Sequence, residues 1–319
     1  MSDDGRHGFT VIAFVGSVFS PYYALARARG GGVAEPENHV AVNIALYGPR
    51  RRWAMTERGA WSLQRSVDRF VVGPSELAWD GTALTVVFAE RSAPLPFRLR
   101  GTIRLLPAAF GAEAFPLDAR GLHRWAPLAP AARVEVALTE PALSWSGHGY
   151  LDSNMGDEPL ERGFARWTWT RAHAGGEAVI LYDATRRDGS RLALALRPRG
   201  DGTLERLPLP EVFGLPRTPI WRIRRSAHGQ GEGPRVIDTL EDTPFYARST
   251  IRTRLFGRVA TAVHESLDLD RFARLWVKAL LPFRMPRRAS REPVSARSSP
   301  AAPAPLASRA PRGSRASSD

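Results

Sequence analysis

Tyr150 and Asp152 stand two residues apart, and His148 stands two before Tyr150, in a segment (147–171) that reads GHGYLDSNMGDEPLERGFARWTWTR. Extended backbone sends alternate side chains to the same side, so all three are expected on one face of a strand. The turn-forming run SNMGDEP follows, and ARWTWTR then places Trp167, Trp169 and Arg171 on one face of a second strand. A carboxyl, a phenol and an imidazole facing one way, with indoles beside them, could protonate and cradle an apolar substrate. Upstream, His123 and Trp125 repeat the two-residue spacing. An exposed aspartate, with a pKa of about 3.9, is ionised at neutral pH and has no proton to give. The chemistry therefore requires Asp152 to lie in an apolar setting that raises its pKa.

Plainer readings stand beside these. Asp152 can be a hairpin aspartate capping a turn, His123 and Trp125 can be structural strand residues at a domain junction, and most of the nine tryptophans can be core. The run from Asp152 to Glu158 looks like a calcium loop only superficially: the glycine comes one place early, and the twelfth position is Gly163, not Glu. A polar turn without metal is expected. The absence of cysteine removes thiol nucleophiles, disulfides and Cys-ligated metal together, and no H-E-x-x-H, G-x-S-x-G or Walker sequence occurs. No cofactor is expected.

Longer blocks carry a family resemblance. GHGYLDSNMGDEPLE followed by WTWTR is similar to the acyclic carotenoid 1,2-hydratases (hydroxyneurosporene synthases), as are FVGSVFSPYY (14–23), RWAMTERG (52–59) and LWVKALLPFR (275–284), so that the likeness runs from about residue 5 to 284. It implies a cofactor-free hydro-lyase adding water to the terminal 1,2 double bond of neurosporene, lycopene or a relative, on a tandem lipocalin-like fold. It also implies that His123 and Trp125 (H-x-W) with Tyr150 and Asp152 (Y-x-D) are the catalytic set, Asp152 giving the proton. His148, Trp167 and Trp169 are substrate-binding candidates from strand geometry alone. Where the family usually has a Trp-Trp-Tyr strand before the turn at Asp4-Gly5, this sequence has none, so the first domain is expected to lack a strand.

Basic residues number 45 against 32 acidic ones, and Lys278 is the sole lysine, an arginine bias typical of a GC-rich genome. Residues 284–319 hold +6 of the total charge of +13. A basic body and tail suit an anionic membrane surface or nucleic acid. Much of that charge lies in a tail and no nucleic-acid module appears, so no nucleic-acid partner is expected. The expected partners are an acyclic carotenoid, water and the surface of the cytoplasmic or photosynthetic membrane, approached from the cytoplasm. Residues 9–26 are uncharged, but the preceding MSDDGRHG lacks the positive start of a secretion signal, and a strand followed by a loop is expected there.

The chain reads as mainly β. Residues 8–15 and 39–47 form strands, the second with Val40, Val42, Ile44 and Leu46 on one face; further strands are expected near 69–72, 84–90, 97–106, 133–138, 179–182, 192–196, 221–225, 235–240 and 260–265. A faint repeat aligns Asp4-Gly5 with Asp188-Gly189, each ahead of an apolar strand. The expected organisation is two lipocalin-like β-barrel or sandwich domains (1–130 and 131–267), an amphipathic helix (268–288) capped by Asp268, and a disordered Pro/Ala/Ser/Arg tail (289–319). In that helix Phe272, Leu275, Trp276, Ala279, Leu280 and Phe283 make one stripe, which can dock on the barrels or lie on a membrane. A non-catalytic carrier of an apolar ligand is the alternative function, since the same cavity would serve without a proton donor.

Overall fold

Two prolines shape the longest strand. Pro127 and Pro130 lack the N–H that a ladder needs, and the register of His123–Glu140 against Ala142–Gly156 slips at both, between Ala126 and Ala129 and between Ala129 and Ala132. On the partner strand Leu151 and Ser153 keep cross-strand partners while Asp152 falls at the slip. Such a bulge bends the strand and re-aims the side chains opposite it. The structure, a computed structural model, describes residues 1–289 except Ala112, Gly175 and Gly176. The tail expected over 289–319 therefore lies, beyond Ala289, outside the described residues.

The chain is mainly β, as its turn spacing predicts, and its sheets are antiparallel and open. His123–Glu140 and Ala142–Gly156 end a meander that begins at Leu63–Arg65 and passes through Arg69–Val72, Ser75–Trp79, Leu84–Arg91 and Arg98–Pro107. A second large sheet runs Leu204–Arg206, Arg191–Pro198, Glu177–Arg186, Phe164–Ala174, Arg258–Asp268, Tyr246–Leu255, Arg235–Asp242. Neither path closes on itself among the described residues, so these are sheets of a sandwich and not barrels. The boundary expected at 130/131 falls inside His123–Glu140, and the strand bearing Tyr150 and Asp152 is hydrogen-bonded into the first large sheet.

A three-stranded sheet, Gly8–Val15, Val40–Tyr47 and Arg52–Met55, lies between two cores. All eight residues of Val40–Tyr47 are buried, because both faces are covered. Val40, Val42, Ile44 and Leu46 pack with Phe88, Leu99 and Val136 of the first large sheet, while Ala41 joins the cluster around Trp125 and Tyr182. Buried charge pairs fix this layer. Arg58 meets Glu90 at 2.9 Å, Glu90 also accepts from Ser75 Oγ, and Glu57 takes His39 at 2.8 Å and Arg287 besides. The RWAMTERG block thus ties this layer to its neighbours through Glu57 and Arg58 and packs Trp53 and Met55 on the cluster around Trp125.

Three local expectations change. The segment after Val15 is helical: Ser20 caps Pro21–Arg29, its side chain accepting from Tyr23 N, with proline in the first turn where no N–H is needed. Residues 221–224 are not strand; the turn before them is held by the Asp242 carboxylate, which accepts from the amides of Ile220 and Trp221, and the strand is Arg225–Gly229. Asp268 does cap a helix, but it is the short Leu269–Phe272, and a second helix, Leu275–Arg284, follows a break. The second helix buries Val277 and Leu281, so the stripe of Leu275, Trp276, Leu280 and Phe283 faces outward.

Candidate active site

The bulge and the two strands it separates bring three of the motif residues into direct contact. Trp125 Nε1–H donates to Asp152 Oδ2 at 2.8 Å, and the Tyr150 hydroxyl donates to the same oxygen at 3.0 Å. Among the described residues Oδ1 has no protein partner. Both donors therefore leave the proton of the neutral acid to Oδ1, the oxygen free to present it. Trp125 is fully buried, whereas Asp152 and Tyr150 keep some accessible surface although protein crowds them on every side. Trp125 belongs to one apolar cluster and Tyr150 packs against it. Phe14, Phe19, Trp53, Trp167, Trp169 and Tyr246, all half-buried, pack against the same apolar cluster.

Burial pushes the Asp152 carboxyl up to about 6; the hydrogen bonds from Trp125 and Tyr150 oppose the rise, Glu265 adds to it and Arg248 subtracts from it. Desolvation disfavours the charged form and outweighs two donors that favour it. The same two donors are then in place to hold the carboxylate once the proton has gone.

His123 lies one pleat from Trp125 and makes no hydrogen bond to Asp152 among the described residues. Its Nδ1 faces Asp118 Oδ2 at 3.1 Å, and its Nε2 is buried without a partner. Burial opposes the Asp118 charge, but the amides of His123, Leu122 and Arg120 and the His123 ring outweigh it and hold that carboxyl below its usual range. An ionised Asp118 keeps the proton on Nδ1 and leaves the Nε2 lone pair available. The ring fits because Gly156 and Gly163 flank it; a Cβ on Gly163 would sit 2.9 Å from Cε1.

The period-two expectation holds along the facing strands. Trp169 packs on Tyr150 (ring centroids 5.2 Å apart), Arg171 lies over Tyr150 at 5.6 Å, and His173 stacks on His148 at 3.8 Å. His148 therefore shares the face but sits at the far end of the column, beside Asp3 and roughly 13 Å along the strand from Asp152. The structure does not bring it to the carboxyl. Trp167 packs edge-on to Phe164 and tilts against Tyr182 (5.4 Å), and Trp169 Nε1 is buried without a partner.

Sequence reasoning missed four residues here. Tyr182 lies tilted against Trp125 (4.8 Å) and its buried hydroxyl has no partner among the described residues; burial, then the charges of Asp152 and Glu265, push that phenol well above its ordinary value. Arg248 and Glu265 pair at 2.5 Å behind the site. Asp118 had a signal, since Asp118-Ala-Arg-Gly is a turn that returns to His123, whereas Tyr182, Arg248 and Glu265 look like any other strand residues.

The family model for the carotenoid hydratase CrtC matches residues 11–293. The chain belongs to the carotenoid hydratase family. Among curated members it is 55% identical to the acyclic carotenoid 1,2-hydratase of Thiocapsa roseopersicina over 90% of this chain and 71% of that one. It is 51% identical to the enzyme of that description from Rubrivivax gelatinosus (91% and 72% covered) and 42% identical to that from Cereibacter sphaeroides (87% and 98% covered). A solved structure described as an AttH from Nitrosomonas europaea overlays with a TM-score of 0.54 across 84% of this chain and 88% of that one; at 14% identity it shares the fold alone. The four resemblance blocks all meet the matched region, and in this member of the carotenoid hydratase family all four place residues in or against one apolar cluster: Phe14 and Phe19, Trp53 and Met55, Tyr150 and Trp169, and Val277 and Leu281.

Proposed function

We propose that the chain hydrates the terminal 1,2 double bond of an acyclic carotenoid such as neurosporene or lycopene, working from the membrane that holds the pigment. The observation that carries this reading is Asp152: a carboxyl among aromatic side chains, its pKa up to about 6, with two donors on one oxygen and the other oxygen without a partner among the described residues. Proton transfer from Oδ1 to the second carbon of the alkene leaves a tertiary cation at the first. Trp169, Trp167 and Tyr150 offer π-faces to that cation, worth roughly 2 kcal/mol or more each when desolvated. Trp125 and Tyr150 hold the carboxylate left behind. Water adds at the first carbon and sheds a proton either directly to the Asp152 carboxylate, which closes the cycle, or to His123 Nε2, from which it passes to solvent while Asp152 takes a proton back from solvent. No cofactor enters this scheme, and every atom of the product comes from the polyene and one water.

A buried hydroxyl without a partner costs about 1–3 kcal/mol, so Tyr182 is suited to hold that water. Tyr182→Phe is expected to lower turnover roughly tenfold, less than a full acid–base contribution because the hydroxyl only positions the water, with no loss of thermal stability. Full turnover in that variant would remove Tyr182 from the role.

The direct test is incubation of the full-length chain with lycopene or neurosporene and chromatography for a more polar product. Since the reaction needs neutral Asp152, kcat/KM is expected to level off below about pH 6 and to fall about tenfold per pH unit above it. Pigment retained without product would favour a carrier. A rate rising with pH through 6–8 would reject Asp152 as the acid.

A further inference from the structure

Leu275, Trp276, Leu280 and Phe283 leave one side of the helix Leu275–Arg284 apolar and uncovered, with Leu275 84% and Phe283 71% exposed. Ile220, at the tip of a nearby turn, is 75% exposed. Trp221 of that turn stacks on Trp276 (centroids 6.0 Å, 23°), and Arg271 Nη1 donates to Trp221 O at 2.7 Å. Turn and helix therefore present one apolar ridge. Scattered exposed leucines need no explanation, but a contiguous ridge of five large apolar side chains marks an interaction surface. Its inner side, Val277 and Leu281, belongs to the cluster that contains Trp125 and Tyr182.

The charge beside the ridge identifies what it meets. A cleft of about 360 Å³ is lined by Arg166, Arg217, Arg222, Arg224 and Arg274 together with Arg271, Asp268 and Asp270. Six arginines thus face two aspartates: Asp268 accepts from Arg271 N at 3.0 Å, and Asp270 pairs with Arg187 outside the cleft. Among the described residues none of the five arginines named first has a carboxylate within 4 Å, whereas Arg58, Arg69, Arg120, Arg133 and Arg248 all do. Five uncompensated guanidinium groups around one cleft select an anion with several acceptor oxygens, and guanidinium forks match phosphate. Apolar side chains that enter a headgroup layer beside arginines that hold its phosphates are the two halves of an interfacial membrane site.

We propose that this face docks on a bilayer containing anionic phospholipid, the ridge of Ile220, Trp276 and Phe283 entering the headgroup zone while the arginine cleft takes lipid phosphate. The proposal rests on the hydratase reading only for its purpose, delivery of a membrane-dissolved polyene to the cluster beneath the helix. The test is flotation of the full-length chain with vesicles of phosphatidylcholine alone or mixed with phosphatidylglycerol. Two variants, Leu275→Ser/Phe283→Ser and Arg217→Ser/Arg222→Ser/Arg224→Ser, change only partly or fully exposed side chains and leave the motif residues intact.

The parent chain is expected to float with the mixed vesicles, less so as salt rises. Each variant is expected to lose at least roughly tenfold in partitioning. Turnover of detergent-dispersed pigment is expected to stay unchanged in both variants, while turnover of vesicle-borne pigment falls with binding. A parent chain that stays in solution, or variants that float as it does, would overturn the proposal. So would competition by dilute inorganic phosphate at constant ionic strength, which would assign the cleft to a soluble phosphate. Residue-dependent flotation without hydration in either format would leave the docking face standing and remove the hydratase reading.

Discussion

Asp152→Asn is expected to abolish hydration while making the protein more stable at pH 8. Asparagine keeps an oxygen for Trp125 Nε1 and the Tyr150 hydroxyl but has no transferable proton. General acid catalysis contributes roughly 10²–10⁴-fold, and here it starts the reaction, so the loss should reach or exceed the top of that range. The gain in stability comes from the same burial. An aspartate whose carboxyl rises from an unfolded value of 3.8 to about 6 in the folded protein contributes most below 3.8, and that contribution is lost as pH climbs through about 6. At pH 8 the folded state carries a buried carboxylate at a cost of about 3 kcal/mol, taking 1.36 kcal/mol per pKa unit. The neutral amide removes it. Thermal melts of parent and variant should therefore separate by several degrees at pH 8, narrow to about a third of that offset near pH 4.5 and converge below about pH 3. Retained turnover would dismiss Asp152 as the acid; an equal offset at both pH values would dismiss its elevated pKa.

This pairing of function with instability explains why the site was only half legible in the sequence. Period-two spacing sufficed to put Tyr150 and Asp152 on one face, and Trp169 and Arg171 on the strand that faces them, because alternation is a local property of a strand. The contact between Trp125 and Asp152 is not local. It depends on Pro127 and Pro130 slipping the register, and a proline in an apolar run signals a broken ladder without saying what the bend will face. His148 obeyed the alternation and still lies outside the site, since a shared face does not mean a shared end. The helix stripe left two readings open, docking on the protein or lying on a membrane, for a similar reason. Leu275, Trp276, Leu280 and Phe283 are periodic, as an inward face would be, but Pro282, the break after Phe272 and the burial of Val277 and Leu281 turn that face outward. Periodicity reveals that a helix has an apolar side, and only the tertiary fold decides whether protein or something else covers it. Arg248 and Glu265 were invisible, because each finds its partners across strands far apart in the chain.

Arg248→Met is the substitution expected to damage the fold most and to reach the site as well. The Arg248 side chain is buried; its Nη2 meets Glu265 at 2.5 Å, its Nη1 donates to Tyr47 at 2.6 Å and to Thr10, and Glu241 lies 4.0 Å away. Burial works against its charge, but Glu265, the phenols of Tyr246 and Tyr47, and Glu241 outweigh that and hold it protonated. Thr10 and Tyr47 belong to the three-stranded layer and Glu265 and Glu241 to the second large sheet, so one guanidinium ties the two together. Methionine fills much of the volume and satisfies none of the acceptors. Removing one partner of a buried ion pair costs about 3–5 kcal/mol, chiefly because the opposite charge is left unpaired. Arg284 still reaches Glu241 at 3.3 Å, so the main deficit falls on Glu265. That carboxylate raises the Asp152 pKa and Arg248 lowers it, so the variant should carry the alkaline limb of its pH–rate profile to higher pH. Arg248→Met/Glu265→Gln, with both charges gone, should recover part of the stability and bring the limb back toward the parent position, a coupling that a double-mutant cycle measures directly. Denaturant midpoints and pH–rate profiles of the four proteins decide it: parental stability in Arg248→Met would show that the buried guanidinium does not clamp the layers, and a limb that does not move would show that it does not tune the acid.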